Sequence, residues 1–454
     1  MSATIAAIAT PPGVGGLGVI RLSGDDAAAI ADRVFSPVSG KSLREMRGYT
    51  AAYGTVFNEN GRIDDAVALV FTAPKSYTGE NVVELSCHGG VYLLQKVLSA
   101  LYAAGAVPAQ PGEFTRRAFL NGKMTLTQVE SIPETIHAQG EQALHAAAML
   151  REGALFREIQ AVNSALLRIC AQLSAWIDYP DEEIEDVDRA DFEKIIAEST
   201  EKLTRLKNGF EQGRVLREGV ATAIVGKPNV GKSTLMNRLS GFERSIVTDL
   251  AGTTRDVVEE TVRLGSVTLR LADTAGIRET SDAVEKIGVA RAEKQLEQAD
   301  LVLAVFDASV PLEEEDRKIA ALAKGKPVIA VLNKTDLPAV TTADDLRAWI
   351  PTVVELSAKH GENTDRLRDA VETMFAVKNL DAGALLIANQ RQLSCVEQAL
   401  SRLAEAQECL RTGFTLDAVD VCVQNASQAL LELTGEAVTD AVVDEVFKNF
   451  CVGK

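Results

Sequence analysis

The chain has 454 residues, 46% of them hydrophobic and 24% charged, and a formal net charge of −17. That length exceeds what one hydrophobic core usually serves, so we expect two or three domains. The first residues lack a basic leader and an apolar run long enough to span a bilayer, and the six cysteines lack disulfide or metal-ligand spacing. We therefore expect a cytoplasmic protein without a membrane partner. The charge argues against a general nucleic-acid coat, because such binding needs clustered cations, but it leaves a local RNA site open.

The first segment, residues 1–119, alternates short β-type runs with turn signals and has one helical stretch, near Val91 to Ala104. This pattern is typical of an α+β domain.

Helical periodicity dominates residues 120–217 and returns in residues 378–454. The longest pattern, Gln142 to Ile177, predicts a helix of about 50 Å. A further helix is predicted from Phe192 to Gln212. Apolar stripes need partners, so we expect the later helices to pack on the earlier ones as one split all-α domain. The segment between them would then be an inserted domain.

That inserted segment, residues 218–377, begins with the apolar run Val220 to Val225 and continues with GKPNVGKST. A strand, a glycine loop and a helix start in this order predict a phosphate loop, whose backbone N–H groups surround the phosphates. Lys232 would reach the β and γ phosphates and Ser233 would give a hydroxyl to Mg²⁺. A plain glycine-rich turn is the alternative, and the flanking strand and helix argue against it.

Three further motifs follow predicted strands: DTAG (273–276), NKTD (333–336) and SAK (357–359). Asp273 can hold Mg²⁺ through water, and the Asp336 carboxylate matches the N1 and N2 donors of guanine, which adenine lacks. One such motif fits an ordinary turn, but the ordered set predicts a Ras-like P-loop domain that binds GTP and GDP. The predicted nucleotide contacts are Asn229, Val230, Gly231, Lys232, Ser233, Thr234, Thr248, Thr253, Thr254, Asp273, Thr274, Ala275, Gly276, Asn333, Lys334, Asp336, Ser357, Ala358 and Lys359.

The candidate switch is TDLAGTTRD (248–256). Thr254 is the expected second Mg²⁺ ligand beside Ser233, with a solvated loop as the alternative. Ile277 follows DTAG where small signalling GTPases place a glutamine that orients the attacking water. Catalysis must be organised differently, and Arg255 is one candidate for neutralising transition-state charge.

Over its whole length the chain resembles the MnmE (TrmE) family of tRNA-modification GTPases. The resemblance is carried by TPPGVGGLGVIRLSG, SYTGENVVELSCHGG, PGEFTRRAFLNGK, YPDEEIE, TDLAGTTRD, DTAGIRE and FCVGK. It implies a multidomain α/β plus α fold. Residues 1–119 would be an N-terminal α+β folate-binding and dimerisation domain, and 120–217 the first part of a helical domain. Residues 218–377 would be the Ras-like GTPase domain, and 378–454 the second helical part with the C-terminal cysteine motif.

The resemblance also implies an activity. With an FAD-dependent MnmG-type partner, the chain would install a carboxymethylaminomethyl or aminomethyl group at C5 of the tRNA wobble uridine. The carbon would come from a tetrahydrofolate derivative in its 5-formyl or methylene form. The expected assembly is a homodimer, or a heterotetramer with the partner.

The folate contacts implied by similarity are Arg21, Glu84, Lys123 and Lys454. Chemically, Glu84 can accept from a pterin's amidine-like edge, and the cations can meet the glutamate tail. The residues alone favour a plainer interpretation, in which Arg21 and Glu84 form an ion pair on a strand face and Lys123 is solvated.

The resemblance further implies roles in catalysis for Glu285, which would help to position the attacking water through a second water, and for Cys451 at the modification site. Lys232 is the third predicted catalytic residue, through its contact with the β and γ phosphates. On the sequence alone Glu285 is an ordinary helix-surface acid, and Cys451 fits a nucleophile, an acid or a packing group.

A K⁺ ion would replace the missing glutamine in this family. Asn229 has a suitable side-chain carbonyl, and Thr248, Leu250 and Thr253 can add oxygens. The alternative for Asn229 is a hydrogen bond that stabilises the loop.

Two other functions stay open. A GTPase switch in ribosome assembly would share every nucleotide motif but not the N-terminal domain or the Cys451 tail. A stand-alone folate enzyme with a regulatory GTPase module is the third possibility.

Overall fold

The computed structural model describes residues 3–138, 140–178, 189–241, 260–271, 296, 299–322, 325–375, 387–448, 450 and 452–453. The chain divides into two compact units. Unit 1 comprises Met1–Pro133, Leu150–Glu201 and Ser394–Lys454, and unit 2 comprises Glu134–Met149 and Lys202–Leu393. The domain boundaries expected at 119, 217 and 377 stay predictions. No helix among the described residues is long and apolar enough to cross a membrane.

Unit 1 contains a seven-stranded sheet in the order β3-β4-β5-β6-β2-β1-β7. Neighbouring strands are antiparallel except β1 and β7, which run parallel. The strands are β1 (Ile5–Ile8), β2 (Gly15–Ser23), β3 (Phe35–Pro37), β4 (Thr50–Asn58), β5 (Gly61–Phe71), β6 (Val82–Gly89) and β7 (Val107–Pro108).

Helices α1 (Ala27–Ala31) and α2 (Val91–Ala103) supply core residues to one face of this sheet. Along β2, Ile20 and Leu22 are fully buried, whereas Arg21 between them is only partly buried. Side chains alternate between the faces of a strand, so Arg21 lies on the face opposite this core. The α+β pattern predicted for the first segment is what the structure shows.

The remaining helices of unit 1 include elements from both ends of the chain. They are α3 (Glu113–Leu120), α4 (Leu126–His137), α6 (Ala154–Asp178), α7 (Arg189–Asn208), α13 (Gln390–Thr412), α14 (Leu416–Thr434) and α15 (Asp440–Lys448), and unit boundaries fall inside α4, α7 and α13. Helix α5 (Glu141–Arg151) belongs to unit 2 except for its last two residues. Helix α14 packs along α6, where the buried Ser427 hydroxyl donates to Asn163 Oδ1 at 2.6 Å. The expected packing of C-terminal helices on earlier ones is confirmed.

The single long helix predicted from Gln142 to Ile177 is wrong. Helix α5 ends at Arg151 and α6 begins at Ala154, because Gly153 adopts a positive φ of 76° between them. A glycine in this conformation ends a helix at no steric cost. The helix predicted from Phe192 to Gln212 is also divided, into α7 and α8 (Phe210–Glu218), at Gly209, which itself has a right-handed φ of −74°.

Unit 2 contains a six-stranded sheet in the order β13-β12-β11-β8-β10-β9. All neighbours are parallel except β9 and β10. Its strands are β8 (Val220–Val225), β9 (Glu260–Leu264), β10 (Val267–Leu271), β11 (Leu301–Asp307), β12 (Val328–Asn333) and β13 (Val353–Glu355), and its helices include α9 (Lys232–Ser240), α10 (Glu314–Leu322), α11 (Ala343–Arg347) and α12 (Thr364–Met374).

The central strand β11 is buried on both faces from Leu301 to Phe306. Such unbroken burial is typical of a parallel sheet covered by helices on both sides. In this arrangement the carboxyl ends of β8, β11 and β12 meet at one edge of the sheet, where ligands usually bind. The chain is therefore a multidomain protein that combines α/β and all-α parts, as predicted.

Candidate nucleotide-binding site

The loop between β8 and α9 is shaped by two glycines. A Cβ on Gly226 would lie 2.4 Å from the Val305 carbonyl oxygen, and one on Gly231 would lie 2.3 Å from Asn333 Nδ2. Gly231 also has a φ of 99° where α9 begins. Larger side chains are excluded at both positions, so the backbone can curve closely enough to surround a phosphate with N–H groups.

Lys232 lies inside this curve. Its Nζ donates to the carbonyl oxygens of Gly226 at 2.7 Å and Lys227 at 2.6 Å. Burial lowers the pKa of the Lys232 ammonium from its ordinary value. The positive charge is thus held at the centre of the loop, where phosphates would compensate it.

Asn333, at the end of β12, joins two of the predicted motifs to each other. Its Nδ2 donates to the Val230 carbonyl oxygen at 2.9 Å, and its Oδ1 accepts from the Ala358 N–H at 2.9 Å. The side chain is almost fully buried, at 2% exposure. Asn333 therefore fixes the phosphate loop against the SAK segment, a role that sequence reasoning, which treated it only as a nucleotide contact, did not identify.

Asp336 lies beside the same segment. The buried Ser357 hydroxyl donates to Asp336 Oδ1 at 2.7 Å, and this hydrogen bond lowers the pKa of the Asp336 carboxyl. His360 Nε2 lies 3.6 Å from Oδ2. The carboxylate is thus kept ionised as an acceptor, the form needed to bind two adjacent N–H donors. His360 was missed by sequence reasoning, although it directly follows SAK.

Lys334 has a positive φ of 65°, and its Nζ lies 2.6 Å from Asp307 Oδ2. Burial by itself raises the pKa of Asp307, but hydrogen bonds from Lys334 and Ser309 outweigh it, and the pKa is lowered. This ion pair connects the ends of β11 and β12. No sequence motif marks Asp307, because its partner Lys334 follows a different strand and only folding brings the two side chains together.

Two hydroxyl groups that a hard cation could use are exposed beside the phosphate loop. Ser233 and Thr234 are exposed in the first turn of α9, directly after the Lys232 ammonium, and hydroxyl oxygens are ligands that Mg²⁺ accepts. Asn229 is exposed in the loop, with a φ of 65°. Several predicted site residues lie outside the described residues: Thr248, Leu250, Thr253, Thr254, Arg255, Asp273, Thr274, Ala275, Gly276, Ile277 and Glu285.

In unit 1 the structure brings Arg21 and Glu84 together as register partners of β2 and β6, with Arg21 Nε 2.8 Å from Glu84 Oε1. The guanidinium lies 5.3 Å from the Tyr77 ring centroid and 5.6 Å from that of Phe114. Its Nη1 donates to the Gly453 carbonyl oxygen at 3.3 Å. These residues form the Arg21 cluster.

Lys123 makes a different contact, since its Nζ donates to the Pro74 carbonyl oxygen at 3.1 Å. Cys451 and Lys454 lie outside the described residues. Gly453 between them is buried, and a Cβ there would lie 2.4 Å from the Ile8 carbonyl oxygen. Gly453 therefore packs against the end of β1, next to Arg21.

Two protein-family models match the chain, and together they span most of its length. The family described as MnmE helical domain matches residues 126–451, and that described as GTP-binding protein TrmE N-terminus matches residues 4–123. The tRNA modification GTPase MnmE of Geobacillus kaustophilus is 41% identical over 461 residues, which cover 99% of each chain. The protein of the same name from Symbiobacterium thermophilum is 43% identical over 455 residues, again 99% of each.

Among solved structures, a single-residue variant of Aquifex aeolicus Era bound to GDP.AlF4- is 32% identical over 40% of this chain and 65% of that chain, with a TM-score of 0.27. The family matches and the full-length relatives agree with the resemblance found in the sequence. The chain belongs to the family of tRNA modification GTPases MnmE.

Proposed function

We propose that this GTPase uses GTP hydrolysis to drive modification of the tRNA wobble uridine. With an MnmG-type FAD protein, it would install a carboxymethylaminomethyl or aminomethyl group at C5, using a one-carbon unit from a tetrahydrofolate derivative. The observation that carries the GTP half is the bonding of Asn333 to both the phosphate loop and the SAK segment, beside the ionised Asp336.

Nucleotide selection follows from this geometry. The Asp336 carboxylate would accept from N1 and N2 of guanine, while the 1-position of adenine would present a lone pair to it. The Ser357 hydrogen bond keeps Asp336 in the acceptor form at neutral pH. Lys232 and the loop N–H groups would hold the phosphates.

Hydrolysis would be organised without a glutamine after DTAG. Ser233 and Thr254 would hold Mg²⁺, which supplies positive charge to the β and γ phosphates when bound. Asn229, Thr248, Leu250 and Thr253 would hold K⁺, which supplies charge near the bridging oxygen. Glu285 would position the attacking water, and Arg255 would not be required.

The Arg21 cluster supports the folate half of the proposal. Glu84 Oε1 accepts from Arg21, and Oε2 can accept from the amino edge of a pterin. The partly exposed Tyr77 ring, which flanks the Arg21 guanidinium, offers apolar contact to a planar ligand. Lys123 and Lys454 would meet the glutamate tail, and Cys451 would act near the modified uridine. We propose that the chain is a homodimer that forms a heterotetramer with its partner, in the cytoplasm.

The experiment is mass analysis of tRNA nucleosides from a strain that lacks this protein. Loss of the modified wobble uridine, restored by the wild-type gene, supports the proposal. Intact wobble uridine with a ribosome-subunit defect would contradict it and favour the assembly-switch alternative. Intact tRNA with a folate-dependent growth defect would favour the stand-alone folate enzyme.

A further inference from the structure

The phosphate loop contains two lysines in different surroundings. Lys232 donates to loop carbonyl oxygens. The Lys227 side chain instead extends to the start of α10, where its Nζ lies 2.8 Å from Oδ2 of Asp316 in the first turn and 2.8 Å from Oε2 of Glu313, which directly precedes the helix. The two carboxylates already neutralise the positive charge of Lys227, so this lysine is a poor candidate for a phosphate ligand.

Of the two acids, Asp316 is the stronger partner. Its side chain is 3% exposed and that of Lys227 is 12% exposed, whereas Glu313 is 66% exposed. Exposed ion pairs contribute little, because water screens them, while breaking a buried pair is costly. Hydrogen bonds with Asp316, and then with Glu313, raise the pKa of Lys227.

Asp316 also fixes the start of α10. Its Oδ2 accepts from the Glu313 N–H at 2.9 Å as well as from Lys227. One buried carboxylate therefore holds both the first turn of a helix and a side chain of the phosphate loop. Such an acid also suits the positive end of a helix dipole.

The backbone of Lys227 completes the connection, because its carbonyl oxygen accepts from Lys232 Nζ at 2.6 Å. A continuous series of contacts thus runs from Asp316 through Lys227 to Lys232. Displacement of Lys227 would move one of the two carbonyl groups that orient the phosphate-binding ammonium.

We propose that Lys227 is a positioning residue for nucleotide binding, which through Asp316 anchors the first half of the phosphate loop to α10. The ion pair sets the geometry of the loop and makes no contact with the nucleotide itself. The inference rests on the GTP site alone and is independent of the tRNA and folate chemistry proposed above.

The test is a double-mutant cycle on the full-length protein, with affinities for fluorescent GDP and GTP analogues as the readout. Lys227→Met and Asp316→Asn should each lower the affinity for both nucleotides about tenfold. Because the two side chains contact each other, their effects should not add. The affinity of the double variant should be no lower than that of the single variant with the lower affinity. Glu315→Gln, in the same turn of α10, is the matched control and should bind like the wild type.

Steady-state kinetics separate positioning from catalysis and from general damage. KM for GTP should rise about tenfold in Lys227→Met, while kcat stays within about twofold, because the lost contact is the same in ground and transition states. Lys227→Arg keeps the charge and should restore most of the affinity.

Three results would overturn the proposal: wild-type affinity in Lys227→Met, additive losses in the double variant, or equal losses in Lys227→Arg and Lys227→Met.

If Asp316→Asn lowers the melting temperature too far for the cycle, Glu313→Gln replaces it. The effect of Lys227→Met should then shrink by about twofold in that background, in line with the weaker exposed pair, and an unchanged effect would contradict the proposal. The wobble-uridine measurement does not enter any of these outcomes.

Discussion

The nucleotide site of unit 2 and the Arg21 cluster of unit 1 are built in different ways. In unit 2, polar side chains at the ends of neighbouring strands bond to each other and to loop backbone, as Asn333 does to Val230 and Ala358. In unit 1, an ion pair across two strands meets Gly453, which lies 432 residues from Arg21 in the chain. The nucleotide site is organised by its own sequence motifs, whereas the Arg21 cluster depends on contacts between residues that are far apart in the sequence.

The largest expected effect follows from the bridging role of Asn333. Asn333→Ala would leave the Val230 carbonyl and the Ala358 N–H buried without their partner, and each such loss costs about 1–3 kcal/mol. We expect GTP and GDP affinity to fall about 100-fold, as measured with fluorescent analogues. Asn237→Ala on the exposed side of α9 is the control. A loss of less than about threefold would mean that the motifs of unit 2 are not interdependent.

Asp336→Asn should exchange base specificity. An amide can donate to O2 of xanthine, where a carboxylate repels it, so the variant should bind XTP and lose about 30-fold in GTP affinity. Competition between the two nucleotides measures the exchange. Unchanged GTP affinity without a gain for XTP would remove Asp336 from the base site.

The effect of the cation on GTP turnover is expected to be smaller than the effects of these two substitutions, and it should be selective for K⁺ over Na⁺. GTP turnover should be about tenfold faster in KCl than in NaCl of equal ionic strength, because K⁺ neutralises charge on the leaving phosphate. A transition-state mimic should promote dimerisation of the GTPase domains. Asn229→Ala should bind GTP but lose the K⁺ response. Equal rates in the two salts, or full K⁺ activation of the variant, would contradict the proposed site.

The smallest effect on nucleotide binding is expected from a substitution in unit 1. Arg21→Met removes a contact to Glu84 between side chains that are 18% and 22% exposed, and should cost about 1 kcal/mol of unfolding free energy. GTP affinity should not change, but binding of a reduced folate, followed by calorimetry, should be lost. Arg62→Met, at the more exposed pair with Asp65, is the control. Unimpaired folate binding in Arg21→Met would leave the cluster with a purely structural role.

Sequence reasoning succeeded where chemistry is carried by contiguous residues. The strand, glycine loop and helix of the phosphate loop were predictable because Gly226 and Gly231 satisfy a local backbone requirement. Parallel strands then bring NKTD and SAK to the same edge. The Arg21 and Glu84 ion pair, expected from the residues alone, is also present.

What the sequence did not reveal depends on tertiary contacts or on single residues that interrupt a pattern. Asp307 and Asp316 are ordinary acids until folding places Lys334 and Lys227 beside them. Gly153 ends a helix whose hydrophobic periodicity continues on both sides of it, so periodicity alone predicted one helix where there are two. Helical patterns report the face of a helix, whereas its ends are set by individual residues.

The central claim is that guanine recognition in unit 2 drives tRNA chemistry that also requires unit 1. Its most direct measurement is the wobble-uridine content of a deletion strain that expresses either the wild-type protein or Asp336→Asn at equal levels. We predict that the wild-type protein restores the modified nucleoside and that Asp336→Asn does not, because cells supply GTP and not XTP to the altered site. Full restoration by Asp336→Asn would contradict the account.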